Sequence, residues 1–535
     1  MLRSTPLGAF DAQPKFGLRR SLRNLARLTR IALTLARHDA LFLFTGVPVV
    51  ASYLRLTGWF ARRRGHVTAR PGERLAAALD ELGPGFIKLG QLLSTRADLF
   101  GEEIAADLAR LQDRLPPFSG AAARAAIERE LGRPLEILFQ SFDEIAIAAA
   151  SIAQVHFART TDGHDVAVKV LRPGVANAFD RDLDLFLWLA TLIERVYPPS
   201  RRLKPIEIVR TLAEIVTFEM DLRFEAAAAS ELAENFAGDL SFHVPRIDWS
   251  RTGRGVLTLE RIEGVRIDDR AGLIAAGHRV EDVLAKAASA FFNQVFRDGF
   301  FHADMHPGNM FVDASGAIVV VDFGIMGRLD RITRWYLADM LIGFLLGDYR
   351  RVAEVHFAAG YVPPTRSIDA FTQACRAIGE PILGRPLQEI SVARLLAQLF
   401  QVTEQFDMET QPQLLLLQKT MVLVEGIGRR LDPEINVWAL SQPLIESWMR
   451  ANRGPEARLR YRLETLADTI ERLPRLVEKL ETFVDDIAHD GILLHAESLA
   501  SHAAEQAKRA WLAVLPLYLA AAALLAIAAV LLFGG

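Results

Sequence analysis

Within residues 301–324, the carboxylates of Asp304 and Asp322 and the amide of Asn309 have a spacing suited to phosphate chemistry. Asp304 and Asn309 are five positions apart, and Asp322 begins the sequence Asp-Phe-Gly. An apolar run follows Asn309 and another precedes Asp322, with the turn sequence Asp-Ala-Ser-Gly between them. This pattern predicts a β-hairpin that places Asn309 beside Asp322. Their oxygens suit a Mg²⁺ ion bound to phosphates, with the carboxylate of Asp304 nearby.

The order of these residues matches the catalytic loop and metal site of a kinase, in which Asp-x₄-Asn precedes Asp-Phe-Gly. A zinc site is the alternative, because His302, Asp304 and His306 are all possible zinc ligands. A Pro-Gly pair comes next, no further His or Cys follows nearby, and the one cysteine of the chain is Cys375. The sequence upstream decides between the two kinds of metal site.

A second predicted hairpin carries a lysine. Residues 151–158 and 166–170 have strand-like patterns, and Thr-Asp-Gly-His between them is a turn sequence. Lys169 lies in the otherwise apolar second strand, and an edge lysine that only reaches solvent is the alternative. The chain has 54 Arg and only 8 Lys, so a basic residue needed for charge alone would be Arg. Lysine is a compact point charge suited to phosphate oxygens, and kinases place one in a Val-Ala-x-Lys strand to bind the α and β phosphates.

An alanine-rich segment stands where a protein kinase has a glycine-rich loop. Residues 148–154 read Ala-Ala-Ala-Ser-Ile-Ala-Gln. Each alanine carries a Cβ that restricts backbone φ and keeps main-chain amides from the closest approach to phosphate. We therefore predict a loop that covers a nucleotide but is stiffer than a glycine loop; a helix fragment in an alanine-rich chain is the alternative. The predicted nucleotide-binding residues are Ile147, Ala148, Ala149, Ala150, Ser151, Ile152, Ala153, Gln154 and Val155.

Taken in order, these motifs resemble the UbiB family of atypical kinase-like proteins of ubiquinone biosynthesis. The resemblance extends to a Lys-x-Gly-Gln motif at residues 88–91 and a Glu-x-Asp element at residues 219–221. It continues through Gln-Pro-Gln-Leu-Leu-Leu-Leu-Gln-Lys-Thr at residues 411–420. The similar pattern covers residues 75–450, and so many ordered motifs make coincidence improbable.

The resemblance implies a role for each matching residue of the predicted hairpins. Lys169 would contact the α and β phosphates and pair with Glu225, although a solvated charge on a helix is the alternative for Glu225. Asp304 would be the catalytic carboxylate. Asn309 and Asp322 would hold the metal. The implied ligands are ATP and Mg²⁺.

The resemblance also implies a hinge and a covering element. Residues 256–264 would be the hinge between two lobes, where backbone groups meet adenine, and Glu260 is the nucleotide-binding residue there. The N-terminal helical element would lie over the catalytic cleft, with Lys88 paired to Glu219 on the helix that also carries Glu225. The implied regulatory residues are Lys88, Gln91, Glu219 and Asp221.

Departures from ordinary protein kinases bear on the substrate. Ala303 replaces the arginine of the kinase His-Arg-Asp motif, so this position cannot receive a phosphorylated activation loop. No Ala-Pro-Glu follows Gly324, and a helical pattern begins almost at once, over residues 331–346. These features predict ATP hydrolysis or phosphorylation of a small or lipid-like molecule instead of proteins.

Both ends of the chain suggest a membrane. Residues 511–533 are uncharged and would extend about 34 Å as a helix, enough to span a bilayer, although a buried soluble helix is the alternative. Lys508 and Arg509 precede them, which predicts a cytoplasmic catalytic body. The resemblance to the bacterial branch of the family favours the cell inner membrane, with the mitochondrial inner membrane as the alternative. Residues 18–37 form a basic amphipathic pattern that would bind anionic lipid or dock on the protein. Residues 40–60 are apolar but interrupted, so we expect no second span there.

Length and composition fit a two-lobed core with extensions. The 535 residues provide ample material, and a net charge of −3 with dispersed basic residues does not favour nucleic acid as a partner. One cysteine excludes an intrachain disulfide. We predict an α+β, two-lobed, protein-kinase-like fold with an N-terminal helical extension and a C-terminal transmembrane helix. The predicted segments are a basic amphipathic region (1–74), the helical extension (75–135), the N-lobe (136–262), the C-lobe (263–450), a helical stalk (451–510) and the transmembrane helix (511–533).

Through its family resemblance, the sequence predicts a membrane-anchored atypical kinase or ATPase that supports or regulates ubiquinone biosynthesis. Its expected partners are membrane lipid and either the other enzymes of that pathway or prenylated quinone precursors. The oligomeric state is not predicted. A nucleotide-binding scaffold that organises the pathway's enzymes without phosphoryl transfer is the alternative.

Overall fold

The computed structural model describes residues 18–40, 69–94, 102–108, 111, 116–150, 152–196, 204–380, 402, 405–408, 411–432 and 448. The predicted stalk and transmembrane helix, most of the apolar stretch at residues 40–60, and Ser151 lie outside these ranges. Within them, no helix combines the length and the apolar character needed to cross a membrane.

The secondary structure mixes helices with short strands. The helices are α1 (Leu18–Arg37), α2 (Pro71–Leu82), α3 (Pro84–Ser94), α4 (Glu102–Leu108), α5 (Gly120–Leu131), α6 (Leu135–Leu138), α7 (Val175–Val196), α8 (Pro205–Glu219), α9 (Leu222–Asn235), α10 (Arg270–Ala275), α11 (Val280–Phe292), α12 (Arg331–Leu345), α13 (Tyr349–Ala358), α14 (Ile368–Gly379) and α15 (Pro412–Leu431). The strands are β1 (Phe139–Phe142), β2 (Ala148–Ala149), β3 (Ala153–Thr160), β4 (Asp165–Leu171), β5 (Phe242–His243), β6 (Val256–Glu260), β7 (Val265–Arg266), β8 (Phe300–His302), β9 (Met310–Val312), β10 (Ile318–Val320) and β11 (Met326–Arg328).

The N-terminal lobe is built on a five-stranded sheet in the order β1-β3-β4-β6, with β2 also paired to β3. The hairpin predicted to carry Lys169 is confirmed, since β3 and β4 are antiparallel with Val155 opposite Lys169. Val166, Val168 and Val170 alternate along β4 and are buried against residues of α5 and α6. Because side chains alternate between the two faces of a strand, Lys169 lies on the other face of β4. The sheet therefore presents this lysine on the side where α9 packs.

The hairpin predicted within residues 301–324 is confirmed in the C-terminal lobe. β9 and β10 are antiparallel, and β5 and β7 flank them in a four-stranded sheet. At its open end, the main-chain N–H of Val321 donates to the carbonyl of Asn309 at 2.9 Å. The hairpin thus brings Asn309 beside the residues that lead into Asp322. The predicted helical pattern after Gly324 is also confirmed, as α12.

A helical layer packs together around one apolar core. Helices α7 and α8, which the sequence analysis did not predict, contribute to this core together with α1 to α4. The extension begins at Pro71, slightly before the predicted boundary at residue 75. Ala32 and Leu35 of α1 are buried, and Arg37 pairs with Glu81 of α2 at 2.9 Å. The apolar face of α1 is therefore docked on the protein, which is one of the two possibilities predicted for residues 18–37.

Two glycines allow α3 to approach its neighbours closely. A Cβ atom at Gly85 would overlap the buried side chain of Asp182 on α7, and one at Gly90 would overlap Leu79 and Leu111. Gly90 is the glycine of the Lys-x-Gly-Gln motif. Its lack of a side chain is therefore required by packing, and this packing fixes the helix that carries Lys88.

Gly264, at the end of the predicted hinge, offers a test of how tightly the hinge packs on the β9–β10 hairpin. A Cβ there would lie 2.7 Å from the main-chain carbonyl oxygen of Val312, and a main-chain atom cannot rotate away. We expect Gly264→Ala to destabilise the protein by about 1–3 kcal/mol, measured as a lower thermal unfolding midpoint.

The matched control is Gly426→Ala, because Gly426 lies in α15 with open space around its Cα. This substitution should be neutral or stabilising by up to about 1 kcal/mol, since alanine favours the helix. Equal midpoints for the two variants would contradict the close packing of the hinge.

Candidate active site

Lys169 is the centre of a charged cluster that joins three elements. From β4, its ammonium donates to both carboxylate oxygens of Glu225 on α9, at 2.8 and 2.9 Å. It also donates to Oδ1 of Asp322, just after β10, at 2.9 Å. The side chains of Glu225 and Lys169 are only 8% and 14% exposed, whereas that of Asp322 is half exposed. The ion pair expected between Lys169 and Glu225 is thus present, and Asp322 is its second partner.

Lys169 and Asp322 each hold the other in its charged form. Burial alone would lower the pKa of Lys169, but the carboxylates of Asp322 and Glu225 raise it above its usual value. The Lys169 ammonium in turn lowers the pKa of Asp322 to about 2, against the opposing effect of desolvation. Asp322 is therefore ionised at any pH well above 2, which is the form that binds a cation.

The Glu-x-Asp element lies at a junction between two helices, which corrects the sequence analysis. Glu219 is the last residue of α8, whereas Asp221 caps the N-terminus of α9 and accepts a hydrogen bond from the N–H of Arg223 at 3.2 Å. Glu225 is in the first turn of α9 and does not share a helix with Glu219. A capping carboxylate fixes the start of a helix, so Asp221 helps to position Glu225.

A buried histidine holds residues 303–309, the candidate catalytic loop. His302 is fully buried, its Nδ1 accepts from the N–H of Asp304 at 3.2 Å, and its Nε2 donates to the carbonyl of Val321 at 3.3 Å. Burial lowers the pKa of His302, which matches the neutral tautomer that these two bonds require. Because both ring nitrogens are engaged, this geometry does not favour the zinc alternative. His302 instead connects Asp304 to the strand that leads to Asp322.

The Asp-Phe-Gly sequence adopts a conformation that directs its acid toward Lys169. Asp322 has a φ of 65°, in the left-handed region that aspartate tolerates better than most residues. Phe323 is buried and packs edge-on against His302, with 5.8 Å between ring centroids. The phenylalanine therefore anchors the turn while the Asp322 carboxylate reaches Lys169.

Asn309 and Asp322 fit the donor set of a magnesium site. The Asn309 side-chain N–H donates to the main-chain carbonyl of Asp304 at 3.2 Å, so its amide oxygen is the atom that could act as a ligand. An amide oxygen and an ionised carboxylate are hard ligands of the kind that Mg²⁺ takes beside phosphates. These two residues would hold the ion, and the ion would neutralise phosphate charge.

The alanine-rich segment is a hairpin tip and not a helix fragment. Ala148 and Ala149 form β2, which pairs with β3, and the N–H of Ala150 donates to the carbonyl of Ala153 at 2.8 Å. Ile152 packs against the core of the helical layer. The tip of the loop is thus attached to the helical layer, which is consistent with a stiff cover.

Two predicted nucleotide-binding residues use their side chains elsewhere. Gln154 is 1% exposed, and its amide exchanges hydrogen bonds with the main chain of Phe118 at 2.8 and 3.1 Å. It lies opposite Val170, on the face of the sheet away from Lys169. The carboxylate of Glu260 accepts from the N–H of Arg246 at 3.2 Å. Neither side chain is directed at the Lys169 cluster, so only their main chains could meet a nucleotide.

Lys88 brings the helical extension to the site. Its ammonium lies 3.0 Å from Oε1 of Glu219, and both side chains are largely buried. The charge of Lys88 also contributes to the low pKa of Asp322. Gln91 makes a long hydrogen bond, 3.4 Å, to the carbonyl of Leu111 within the extension. The Lys-x-Gly-Gln helix therefore lies within electrostatic reach of the candidate metal ligand.

Lys419 is a site residue that the sequence analysis missed. It lies on α15, and its ammonium donates to Oδ1 of Asp304 at 2.9 Å across 115 positions of sequence. The signals were present, because lysine is rare in this chain and Lys419 belongs to the motif at residues 411–420. That motif carried no predicted role.

The fold and the site together define a kinase-like protein with an alanine-rich loop. Two family models match the chain: an ABC1 atypical kinase-like domain over residues 110–356 and a UbiB helical domain over residues 375–436. The second of these includes α15 and therefore Lys419.

Relatives named "Probable protein kinase UbiB" are similar over most of the chain. The protein from Marinobacter nauticus is 42% identical over 477 residues, 88% of this chain and 85% of its own. The proteins from Xanthomonas campestris and Vibrio cholerae are each 41% identical, covering 85% and 86% of this chain and 85% of their own. The chain therefore belongs to the UbiB family of ABC1 atypical kinase-like proteins, which implies a role in ubiquinone biosynthesis.

A solved structure from Mycobacterium tuberculosis, the complex of Rv3197 with erythromycin, is also similar. Its TM-score is 0.49 at 25% sequence identity, covering 74% of this chain and 97% of that one.

The charged cluster predicts a non-additive pair of substitutions. Lys169→Met leaves the buried carboxylate of Glu225 without its cation and should cost about 3–5 kcal/mol. Glu225→Gln leaves Lys169 paired with Asp322 and should cost less. The double variant should be less destabilised than the sum of the two, which unfolding midpoints of all three variants would measure.

Lys286→Met is the matched control, because the Lys286 ammonium donates only to a neutral carbonyl, that of Gly316, in the contacts described. Its expected cost is about 1 kcal/mol. Strictly additive costs for Lys169→Met and Glu225→Gln would contradict the coupling.

Proposed function

We propose that this protein is an atypical kinase or ATPase that acts on Mg-ATP at the Lys169 cluster in support of ubiquinone biosynthesis. The observation that carries this proposal is the position of Lys169, held by Glu225 on one side and Asp322 on the other. A kinase uses this arrangement to bind nucleotide phosphates and their metal. Asp304 and Asn309 lie on the adjoining loop, where the phosphoryl acceptor would bind.

Each side chain has a definite task in the proposed reaction. Lys169 would bind the α and β phosphates, while Asn309 and Asp322 would hold the metal. Asp304 would orient the acceptor hydroxyl and take its proton as the new oxygen–phosphorus bond forms and ADP departs. His302 keeps the Asp304 main chain in place through the bond to its N–H.

Three features favour a small or lipid-like acceptor, or water, over a protein. Lys88 lies within electrostatic reach of Asp322, and its helix is held by the buried pair with Glu219. Ala303 is fully buried and offers no charge to a phosphorylated loop. Between Gly324 and α12 only residues 325–330 remain, and half of them form β11. That length leaves little chain to seat a protein substrate.

The proposed setting is the cytoplasmic face of a bacterial inner membrane. The uncharged residues 511–533, preceded by Lys508 and Arg509, support an anchor with the catalytic body inside. Membrane lipid, prenylated quinone precursors and other enzymes of the pathway are the proposed partners. A lipid or a prenylated quinone precursor that serves as the acceptor would reach the site from the membrane surface.

Nucleotide turnover by the purified full-length protein on anionic liposomes tests the proposal. We expect the wild type to release ADP, and Asp304→Asn and Asp322→Asn to slow release on the order of 100-fold or more. Asp369→Asn is the matched control, because Asp369 is an exposed acid on α14 whose described ion pair is with Arg350, away from the site residues.

Equal turnover in all the variants would overturn the catalytic proposal. Nucleotide binding without turnover in the wild type would favour the scaffold alternative. Steady phosphoryl transfer to a generic protein, added to the same assay, would overturn the preference for a small acceptor.

A further inference from the structure

The catalytic loop lacks a basic residue of its own. Residues 303–309, which run from Ala303 to Asn309, contain no Lys or Arg. Their one imidazole, His306, accepts a hydrogen bond at Nδ1 from the N–H of Gly308 at 3.1 Å and caps the short helical turn there. Asp304 would therefore face a polyanionic substrate, and residues 303–309 supply no Lys or Arg to offset the negative charge.

Lys419 provides a cation at this point from a different domain. Its ammonium is 2.9 Å from Oδ1 of Asp304, and the two side chains are 49% and 32% exposed. An acceptor oxygen hydrogen-bonded to Asp304 would lie about 3 Å from the carboxylate. The phosphoryl group that this oxygen attacks would then be within about 6 Å of the Lys419 ammonium, and closer once the flexible lysine turns toward it.

The helix that carries Lys419 is fixed relative to the catalytic loop. Leu417, Val424 and Ile427 of α15 are buried in the same apolar core as Ala303 and Met305, the two neighbours of Asp304. At the end of the helix, Nε of Arg270 donates to the carbonyl of Leu431 at 2.9 Å. Because the core holds both elements, the approach of Lys419 to Asp304 is built into the packing.

The choice of lysine is informative in a chain with 54 Arg and 8 Lys. Lys169 is engaged by Glu225 and Asp322, and Lys88 is paired with Glu219. Lys419 is a third lysine at the same site, paired with an acid that would face the acceptor. An ammonium is a compact charge that can move from a carboxylate to a phosphoryl oxygen, whereas a guanidinium prefers a fixed planar partner.

We propose that Lys419 binds the transferred phosphoryl group beside Asp304, so that the UbiB helical domain completes the catalytic site of the kinase-like core. In the step, an acceptor oxygen bonds to the γ phosphorus as the bond from that phosphorus to the β-phosphate oxygen breaks. Asp304 takes the acceptor's proton, and ADP carries away the electron pair of the broken bond. Lys419 stabilises the negative charge on the γ-phosphoryl oxygens throughout. This inference rests on the proposed function.

The test compares Lys419→Met, Lys419→Arg and wild type as full-length protein on anionic liposomes. Lys419→Met should lower kcat for nucleotide turnover at least about 10-fold. It should also weaken binding of the β,γ-imido analogue of ATP about 3- to 10-fold while leaving ADP binding unchanged, since ADP lacks the γ phosphate. Lys419→Arg keeps the charge and should recover part of the loss in kcat.

Arg430→Met is the matched control, because Arg430 is an exposed cation on the same helix, 69% exposed and 3.6 Å from Asp268. It should change neither kcat nor binding of either nucleotide. Unfolding midpoints of all variants should agree closely, since Lys419 is half exposed.

Several outcomes would overturn the inference while leaving the proposed function intact. One is unchanged kcat in Lys419→Met, which would make the pair with Asp304 merely structural. Another is a rise in kcat, which would make Lys419 an inhibitory contact.

If the wild type binds nucleotide without turnover, the proposed catalysis fails. The difference in binding between the imido analogue and ADP still decides whether Lys419 contacts the γ phosphate. Equal effects on both nucleotides would reject that role.

Discussion

The ammonium of Lys169, held between two carboxylates, is the interaction on which the rest of the site depends. A buried charge is costly unless it is paired and hydrogen-bonded, and Glu225 supplies both oxygens to this ammonium. The requirement fixes α9 against β4, and the second partner, Asp322, fixes the turn after β10. One side chain therefore sets the relation between the sheet of the N-terminal lobe and the hairpin that carries the candidate metal ligands. The low pKa of Asp322 follows from the same contact.

Lysine–acid pairs recur at each boundary of the site. Lys88 pairs with Glu219 where the helical extension meets the helix junction before α9, and Lys419 pairs with Asp304 where α15 meets the catalytic loop. Each pair joins segments far apart in sequence. The extension, the kinase-like core and the helical domain thus each place a lysine beside or near the candidate site acids. The helical extension and the helical domain are therefore both connected to the residues of the proposed chemistry.

The sequence predicted both hairpins because their signals are local. Strand alternation, a turn sequence and the chemistry of a few residues suffice to place Asn309 near Asp322 and Lys169 on a strand. The sequence analysis missed that one helix ends at Glu219 and another begins after Asp221. The sequence pattern alone does not distinguish an acid that caps a helix from an acid within one. The side chain of Gln154 could have been assigned to the correct face of the sheet from the sequence. Successive side chains of a strand point to opposite faces, and Val155, the next residue, lies opposite Lys169. The contact of Lys419 was beyond local reasoning because it depends on how α15 packs on a core built from distant segments.

The most direct measurement is the dependence of ADP binding on Mg²⁺, by calorimetric titration of the wild type and Asp322→Asn. Asparagine keeps the size of the side chain and tolerates the left-handed backbone at this position, so the substitution removes mainly the charge. If Lys169 and the metal ligands form a nucleotide site of the kinase type, Mg²⁺ will tighten ADP binding to the wild type, and Asp322→Asn will lose that enhancement. The same Mg²⁺ enhancement in both proteins, or none in the wild type, would contradict the account.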